Sequence, residues 1–366
     1  MKKRLHGPSL YYATDKNVFD ALNQHKVDIP TVMRLFQRRN IIVGKKTSRE
    51  ELAMYFARLP HDYYDHQDIS ARLGVAARQE RITSMDVKGI DEIEQLKVGV
   101  DQLKQELESS GDVVQISRDG DSLTVAVQYS VVDYKRTEFN QLQVRDGTIE
   151  FIKSDGGFIV RNTQNEYMND VRETLLGKIE SATSTQLAKV EVSLFDVPSP
   201  KLRSKFFYEL ASNLPGYKRR DVSGVFVYKA KPDSDEDSTD SESEEPDTHV
   251  ERVFLKGNGV TRSEILNDLL NEEDYYITKI SWTAQEIMGR GYDYDIEAVF
   301  ADPKDCTGFS FILNGVYPRE DGKISTRRRK PNKNETDAIS RVIESKSREM
   351  MIRIREEFAQ TKTGET

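Results

Sequence analysis

Residues 232–248, PDSDEDSTDSESEEPDT, carry nine acidic groups, no Lys or Arg, and no aliphatic or aromatic side chain. Such a stretch has no apolar surface to offset the conformational entropy lost on ordering, so no core can include it. The flanking segments read differently. Residues 222–229 (VSGVFVYK) and 250–256 (VERVFLK) have the β-branched and aromatic content of strands. The tract is therefore expected to be a disordered insertion within a strand pair, not a domain boundary. Whatever the fold, it must let those strands approach each other across a long acidic excursion.

The same tract masks how charge is distributed. The chain has a net charge of −8, with 54 Lys and Arg against 62 Asp and Glu. Residues 1–60 nonetheless hold 12 Lys/Arg and five Asp/Glu, and residues 323–355 hold 11 and four. Two basic ends and one acidic tract bear on partners and solubility, not on fold. At 366 residues, two or three domains are expected. No apolar run approaches the 18 residues of a transmembrane helix. The start, MKKRLHGPSLYYATDKN, lacks the apolar stretch of a secretory signal. Cys306 is the single cysteine. That excludes an intramolecular disulfide and a four-cysteine zinc site, and it fits a reducing, cytoplasmic setting without a membrane partner.

Periodicity predicts an α+β fold: a small helical N-terminal module (1–88), an α+β domain (89–184), a second α+β domain with the acidic insertion (185–322), and a basic loop with a C-terminal amphipathic helix (323–366). In the module, Pro30 near a first turn, and Ser48 with Glu51 three residues on, mark two helix starts. Ile93, Leu96, Val100, Leu103 and Leu107 step by 3, 4, 3, 4, the seam of a helix that packs on a sheet or dimerises. Leu123, Val125, Val127, Tyr129 and Val131 alternate with polar residues, a strand of an antiparallel sheet with one buried face. A helix over 201–212 is expected to turn Leu202, Phe206 and Leu210 inward and Lys201, Arg203 and Lys205 outward. Three strands over 275–286, 292–301 and 307–316 read as a meander. A last helix, 335–359, carries Ile339, Ile343, Met350, Ile354 and Phe358 on one face.

The phrase Val43-Gly44-Lys45-Lys46-Thr47 is not a phosphate loop, because the position five before Gly44 is Arg39 where that motif needs glycine. Two short amphipathic helices joined by a basic, Gly-containing extended turn, over about 30–60, resemble the helix-extended-helix arrangement of SAP-type and Rho-N-type modules, which bind nucleic acid. In such an arrangement Arg38, Arg39, Lys45, Lys46 and Arg49 would sit near one turn and one helix N-terminus and suit backbone phosphates, and the alternative is an ordinary helical subdomain with a solvated basic face. The basic run Arg327, Arg328, Arg329 and Lys330 is a second candidate for phosphates, or a solvated loop that pairs with the acidic tract. His61, Asp62, Asp65, His66 and Asp68 lie in HDYYDHQD. The five-residue His spacing fits neither a helical metal pair nor a knuckle, so a surface loop is expected. Asp293 and Asp295, with Glu297, look like the metal-binding strand of nucleotidyltransferases. Gly289-Arg290-Gly291 departs from that family's Gly-Ser pair and helix, and the alternative is an amphipathic strand with Tyr294, Ile296, Ala298 and Phe300 inward and the carboxylates in water. No nucleophile elbow or Cys-His pair is present. The sequence thus points to a non-enzymatic, nucleic-acid-associated or complex-forming protein without a cofactor. A divalent-metal nucleotidyltransferase or nuclease, a protein-binding scaffold and a homo-oligomer are the alternatives.

Overall fold

The computed structural model describes residues 13–24, 27–73, 80–135, 139, 141–230, 250–272, 274–320 and 322–364. The acidic insertion at 232–248 lies outside the described residues. In chain order the helices are α1 (Asp15–Leu22), α2 (Ile29–Gln37), α3 (Arg49–Ala57), α4 (Tyr63–Leu73), α5 (Ile93–Ser109), α6 (Glu166–Thr183), α7 (Pro200–Ser212), α8 (Glu264–Glu272) and α9 (Lys333–Gly364). The strands are β1 (Arg81–Lys88), β2 (Val113–Asp119), β3 (Ser122–Val132), β4 (Leu142–Ser154), β5 (Gly157–Gln164), β6 (Ala188–Glu191), β7 (Tyr217–Tyr228), β8 (Arg252–Lys256), β9 (Tyr276–Glu286), β10 (Asp293–Asp302), β11 (Thr307–Tyr317), β12 (Arg319–Glu320) and β13 (Lys323–Ile324). Eleven of the strands form one antiparallel sheet in the order β2-β3-β4-β5-β1-β11-β10-β9-β7-β8, with β6 paired to β1, and β12 and β13 form a separate hairpin. The fold is α+β, with helices flanking a large antiparallel sheet and a helical N-terminal module. The two strands expected on either side of the acidic tract do pair, with Phe226 opposite Phe254.

Compactness divides the described residues into two units. One lies within Met1–Arg78, Leu96–Thr148 and Thr174–Ala182, the other within Gln79–Gln95, Ile149–Glu173 and Thr183–Thr366.

In the first unit, local signals set the helix ends. Ser48 accepts from the Glu51 amide at 3.2 Å while Glu51 accepts from the Ser48 amide at 3.0 Å, closing a capping box on α3. Asn40 ends α2 in the left-handed region at φ 55°, a conformation asparagine tolerates, and the Ile41 amide returns to the Phe36 carbonyl at 3.0 Å. Val18, Leu22, Val32, Leu35, Phe36, Leu52 and Phe56 form the module's core. Residues 63–73 are helix α4, not the surface loop expected of HDYYDHQD. The reason is Asp62, whose Oδ1 accepts from the Tyr64 and Asp65 amides at 3.0 Å each and so starts a helix.

In the second unit, one sheet face carries Ile280, Trp282, Ile296, Ala298, Phe300 and Phe311, all buried with α7 and α9. Phe206 and Phe207 of α7 each sit 5.4 Å from the Phe300 ring. Arg203 departs from the expected outward set, since it is 7% exposed. It donates to the carbonyls of Val197 at 2.7 Å and Lys304 at 2.8 Å and packs over the Tyr276 ring, so its charge satisfies buried backbone acceptors. Arg161, 6% exposed, forks onto Glu344 of α9 at 2.7 and 2.9 Å and reaches Glu150 at 2.9 Å. Arg348 of α9 meets Asp86 of β1 at 3.1 Å. Part of the polar face of α9 is thus buried and paired.

Candidate nucleic-acid interface

The register of four strands gathers basic residues that are far apart in sequence. Lys218 at the start of β7 stands opposite Gln285 near the end of β9, and Gln285 stands opposite Asp293 at the start of β10. Asp293 in turn pairs with Tyr317 at the end of β11. Arg329 forms a two-way backbone bridge with Val316, at 2.9 and 3.0 Å, which pins the basic loop beside the same end of the sheet. This edge therefore collects Lys218–Arg220, Arg290 of the β9–β10 turn, and Arg327–Lys330.

Some of these cations are already paired. Arg328 reaches Asp295 at 2.6 Å, and Arg329 reaches Glu335 at 2.8 Å while lying over the Tyr292 ring. Arg220 lies 3.7 Å from Asp293. Lys218, Arg219, Arg290, Arg327 and Lys330 are exposed and form no ion pair among the described residues, although Arg219 donates to Ser212 at 2.7 Å, and Arg290 lies over the Tyr292 ring and acts electrostatically on Glu335.

The three carboxylates of β10 share the face opposite the core, as alternation requires, but they are not simply in water. Asp293, Asp295 and Glu297 form a ladder, each matched to a cation. Asp293 is 6% exposed, and one of its oxygens has no hydrogen-bond partner. Burial pushes its carboxyl up, and Arg220 and Arg319 only partly offset this. Burial likewise pushes Asp295 up against the pull of Arg328. Glu297 goes the other way. Burial opposes ionisation there, but hydrogen bonds from Lys279 and Arg81 prevail and hold it below the usual carboxylate range. Gly315 makes room for the central rung, because a Cβ there would lie 2.2 Å from Cγ and 2.3 Å from Cδ of Arg328.

In the helical module the five predicted phosphate ligands divide. Arg39 ion-pairs with Asp65, donates to the Pro60 carbonyl at 2.8 Å and covers the Phe56 ring at 4.6 Å. Arg38 pairs with Asp68. Arg49 donates to the Gln24 carbonyl at 2.9 Å and also to that of Val27, securing the chain after α1. Lys45 and Lys46 are exposed without an ion-pair partner among the described residues. Next to them, Ile42 is 97% exposed. The α3 N-terminus is occupied by its own Glu51 carboxylate, which those capping bonds hold below its ordinary range. His61 and His66 meet at 2.8 Å, and no group of three or more metal-ligating side chains occurs among the described residues.

Sequence reasoning missed Lys218, Arg219, Arg220 and Arg290. The Lys-Arg-Arg run was visible, but only strand register brings it to the end of the sheet where Arg327–Lys330 lie.

These features define an α+β protein whose main sheet ends in a basic edge. No protein-family model matches the chain, and no curated protein matches its sequence.

Proposed function

We propose that the chain is a non-catalytic nucleic-acid-binding protein that holds phosphate backbones along the basic end of its main sheet. The observation that carries this reading is the convergence there of Lys218, Arg219, Arg290, Arg327 and Lys330, drawn from three separate segments and forming no ion pair among the described residues. Cations that make no internal pairs are available to phosphates, and their contacts would be sequence-independent. Lys45 and Lys46, on a turn between two well-capped helices, supply a second contact of the same chemistry. The metal-dependent alternative draws less support, because each of Asp293, Asp295 and Glu297 faces a cation of this chain, and a metal would have to compete with it.

The test is binding of the full chain to labelled duplex DNA across a salt series. Affinity should fall steeply between about 50 and 200 mM salt. Arg327→Glu with Lys330→Glu, and separately Lys218→Glu with Arg219→Glu, should each flatten that slope by roughly one to two phosphate contacts. No binding at low salt, or a slope indifferent to both pairs, would remove the reading.

A further inference from the structure

The ladder of β10 and the side chains of Lys279, Arg81 and Arg328 occupy the sheet face opposite the core. At the other end of β7 that face changes character. Phe226 of β7 and Phe254 of β8 stand opposite each other in register, their rings stacked at 4.0 Å and 17°. Phe226 is also in register with Lys279 of β9, whose Nζ lies 4.9 Å from its ring. Phe254, Phe226 and Lys279 thus form one row across three strands. Phe254 is 48% exposed on the last strand of the sheet, between the exposed Arg252 and Lys256. Its ring lies close to Gly224, where a Cβ would approach within 3.3 Å and crowd it.

An exposed Phe254 ring, backed by the partly buried Phe226 and set among cations, offers a π-face next to positive charge. Duplex DNA presents phosphates but keeps its bases stacked inside. An unpaired base brings both the phosphate and a free face, and stacking on aromatic side chains with a basic backbone track is the general solution for single strands. From Lys218 to Phe226 the strand covers eight residues, a track of about 25 Å. We infer that this face binds single-stranded nucleic acid, with the basic edge taking the backbone and the Phe254–Phe226 pair stacking on an unpaired base. The inference rests on the phosphate-binding reading and adds strand selection to it.

The experiment uses the full chain with three probes: a labelled oligo-dT strand, a duplex of equal length, and heparin, which has charge but no bases. The expected result is tighter binding of the single strand than of the duplex. Phe254→Ala should weaken single-strand binding by about five- to 140-fold, the range for losing one stacked base. It should narrow the ratio of single-strand to duplex affinity accordingly, and Phe254→Trp should restore it. A matched thermal unfolding midpoint for Phe254→Ala keeps folding out of the comparison. If wild type binds heparin and duplex but shows no preference for the single strand, strand selection is wrong while the phosphate reading stands. If single-strand binding is strong and Phe254→Ala leaves it unchanged, the pair is not the platform, and a peptide strand on the open edge of β8 becomes the better occupant. If none of the three probes binds at low salt, both readings fall together.

Discussion

Replacing Gly315 with alanine should unseat Arg328 from Asp295 and leave a signature that general damage would not. The new Cβ would lie 2.2 Å from Arg328 Cγ, well inside contact distance, and the clash is with the middle of the side chain, not its free end. Arg328 must swing away, and Asp295 loses the ion pair it holds at 2.6 Å. The Arg328 side chain is 48% exposed and that of Asp295 17%, so the pair is screened on one side, and the loss is about 1–2 kcal/mol. The pH dependence has a definite sign. Burial already lifts the Asp295 carboxyl above its unfolded value, and removing Arg328 lifts it further. A raised carboxyl is a penalty when ionised, present in full at pH 7 and relieved as pH falls through the folded pKa towards the unfolded value of about 3.9. Urea titrations at pH 7 and pH 5 should therefore show the Gly315→Ala deficit shrinking at the lower pH. In an Asp295→Asn background the deficit should largely vanish, because the group it acts through is gone. A deficit that is independent of pH, or the same in both backgrounds, would refute the argument. If the edge binds phosphates, the released Arg328 should also raise low-salt affinity in the same variant that is less stable.

Three further outcomes follow from buried groups. Glu344→Gln removes the fully buried carboxylate from Arg161 and leaves it the partly exposed Glu150 and Asp337, which should cost about 2–3 kcal/mol by urea titration, whereas Arg161→Met combined with Glu344→Leu should recover part of it; a single-variant cost below about 1 kcal/mol would contradict the buried pairing. Burial pushes the Cys306 thiol up to about 12, so the native chain should resist a thiol reagent at pH 8 and react once unfolded; prompt native reaction would place the thiol at the surface. Burial, with help from the charge of His61, lowers the His66 pKa, so the stability tied to its neutral form is present above about pH 6.5 and lost as pH falls through the folded value; NMR titration should find His66 below the usual histidine range, with His61→Gln moving it back up.

What could be read from the sequence was local. The Ser48–Glu51 box, the buried seam from Leu96 to Leu107 and the alternation of Leu123 to Tyr129 depend on neighbours one to four residues away, and each appears where spacing put it. Apart from the Asp62 cap, which is local, the misreadings are long-range. Nothing near Arg203 in sequence announces that carbonyls of Val197 and Lys304 need a donor. HDYYDHQD looked like a loop because its helix starts at an aspartate cap and because Asp65 is neutralised by Arg39, 26 residues upstream. The ladder on β10 was visible as a period of two. Its partners were not, since Arg81, Lys279 and Arg328 arrive through strand pairing and a loop bridge.

The fate of the basic residues shows why a segment's charge overstates what it offers a ligand. Arg38, Arg39, Arg49, Arg328 and Arg329 bond to carboxylates or carbonyls of their own chain, whereas Lys45, Lys46 and Lys330 stay in solvent. Arg327, exposed and unpaired, is the exception, and for the other eight the division follows the side chains: a planar, weakly hydrated guanidinium forks onto acceptors and tolerates burial, and a compact ammonium holds its water. Read from sequence, nine cations would give a salt slope of about −8 on duplex DNA. Read from the structure, five cations of the basic edge form no ion pair, and Lys45 and Lys46 make seven, for a slope on duplex DNA of about −4.5 for the edge alone and about −6 for both contacts. These slopes are far enough apart for one salt series to decide between them. A value near −8 would mean that the internal pairs open on binding, and the arginines that hold this fold together would then also serve its ligand.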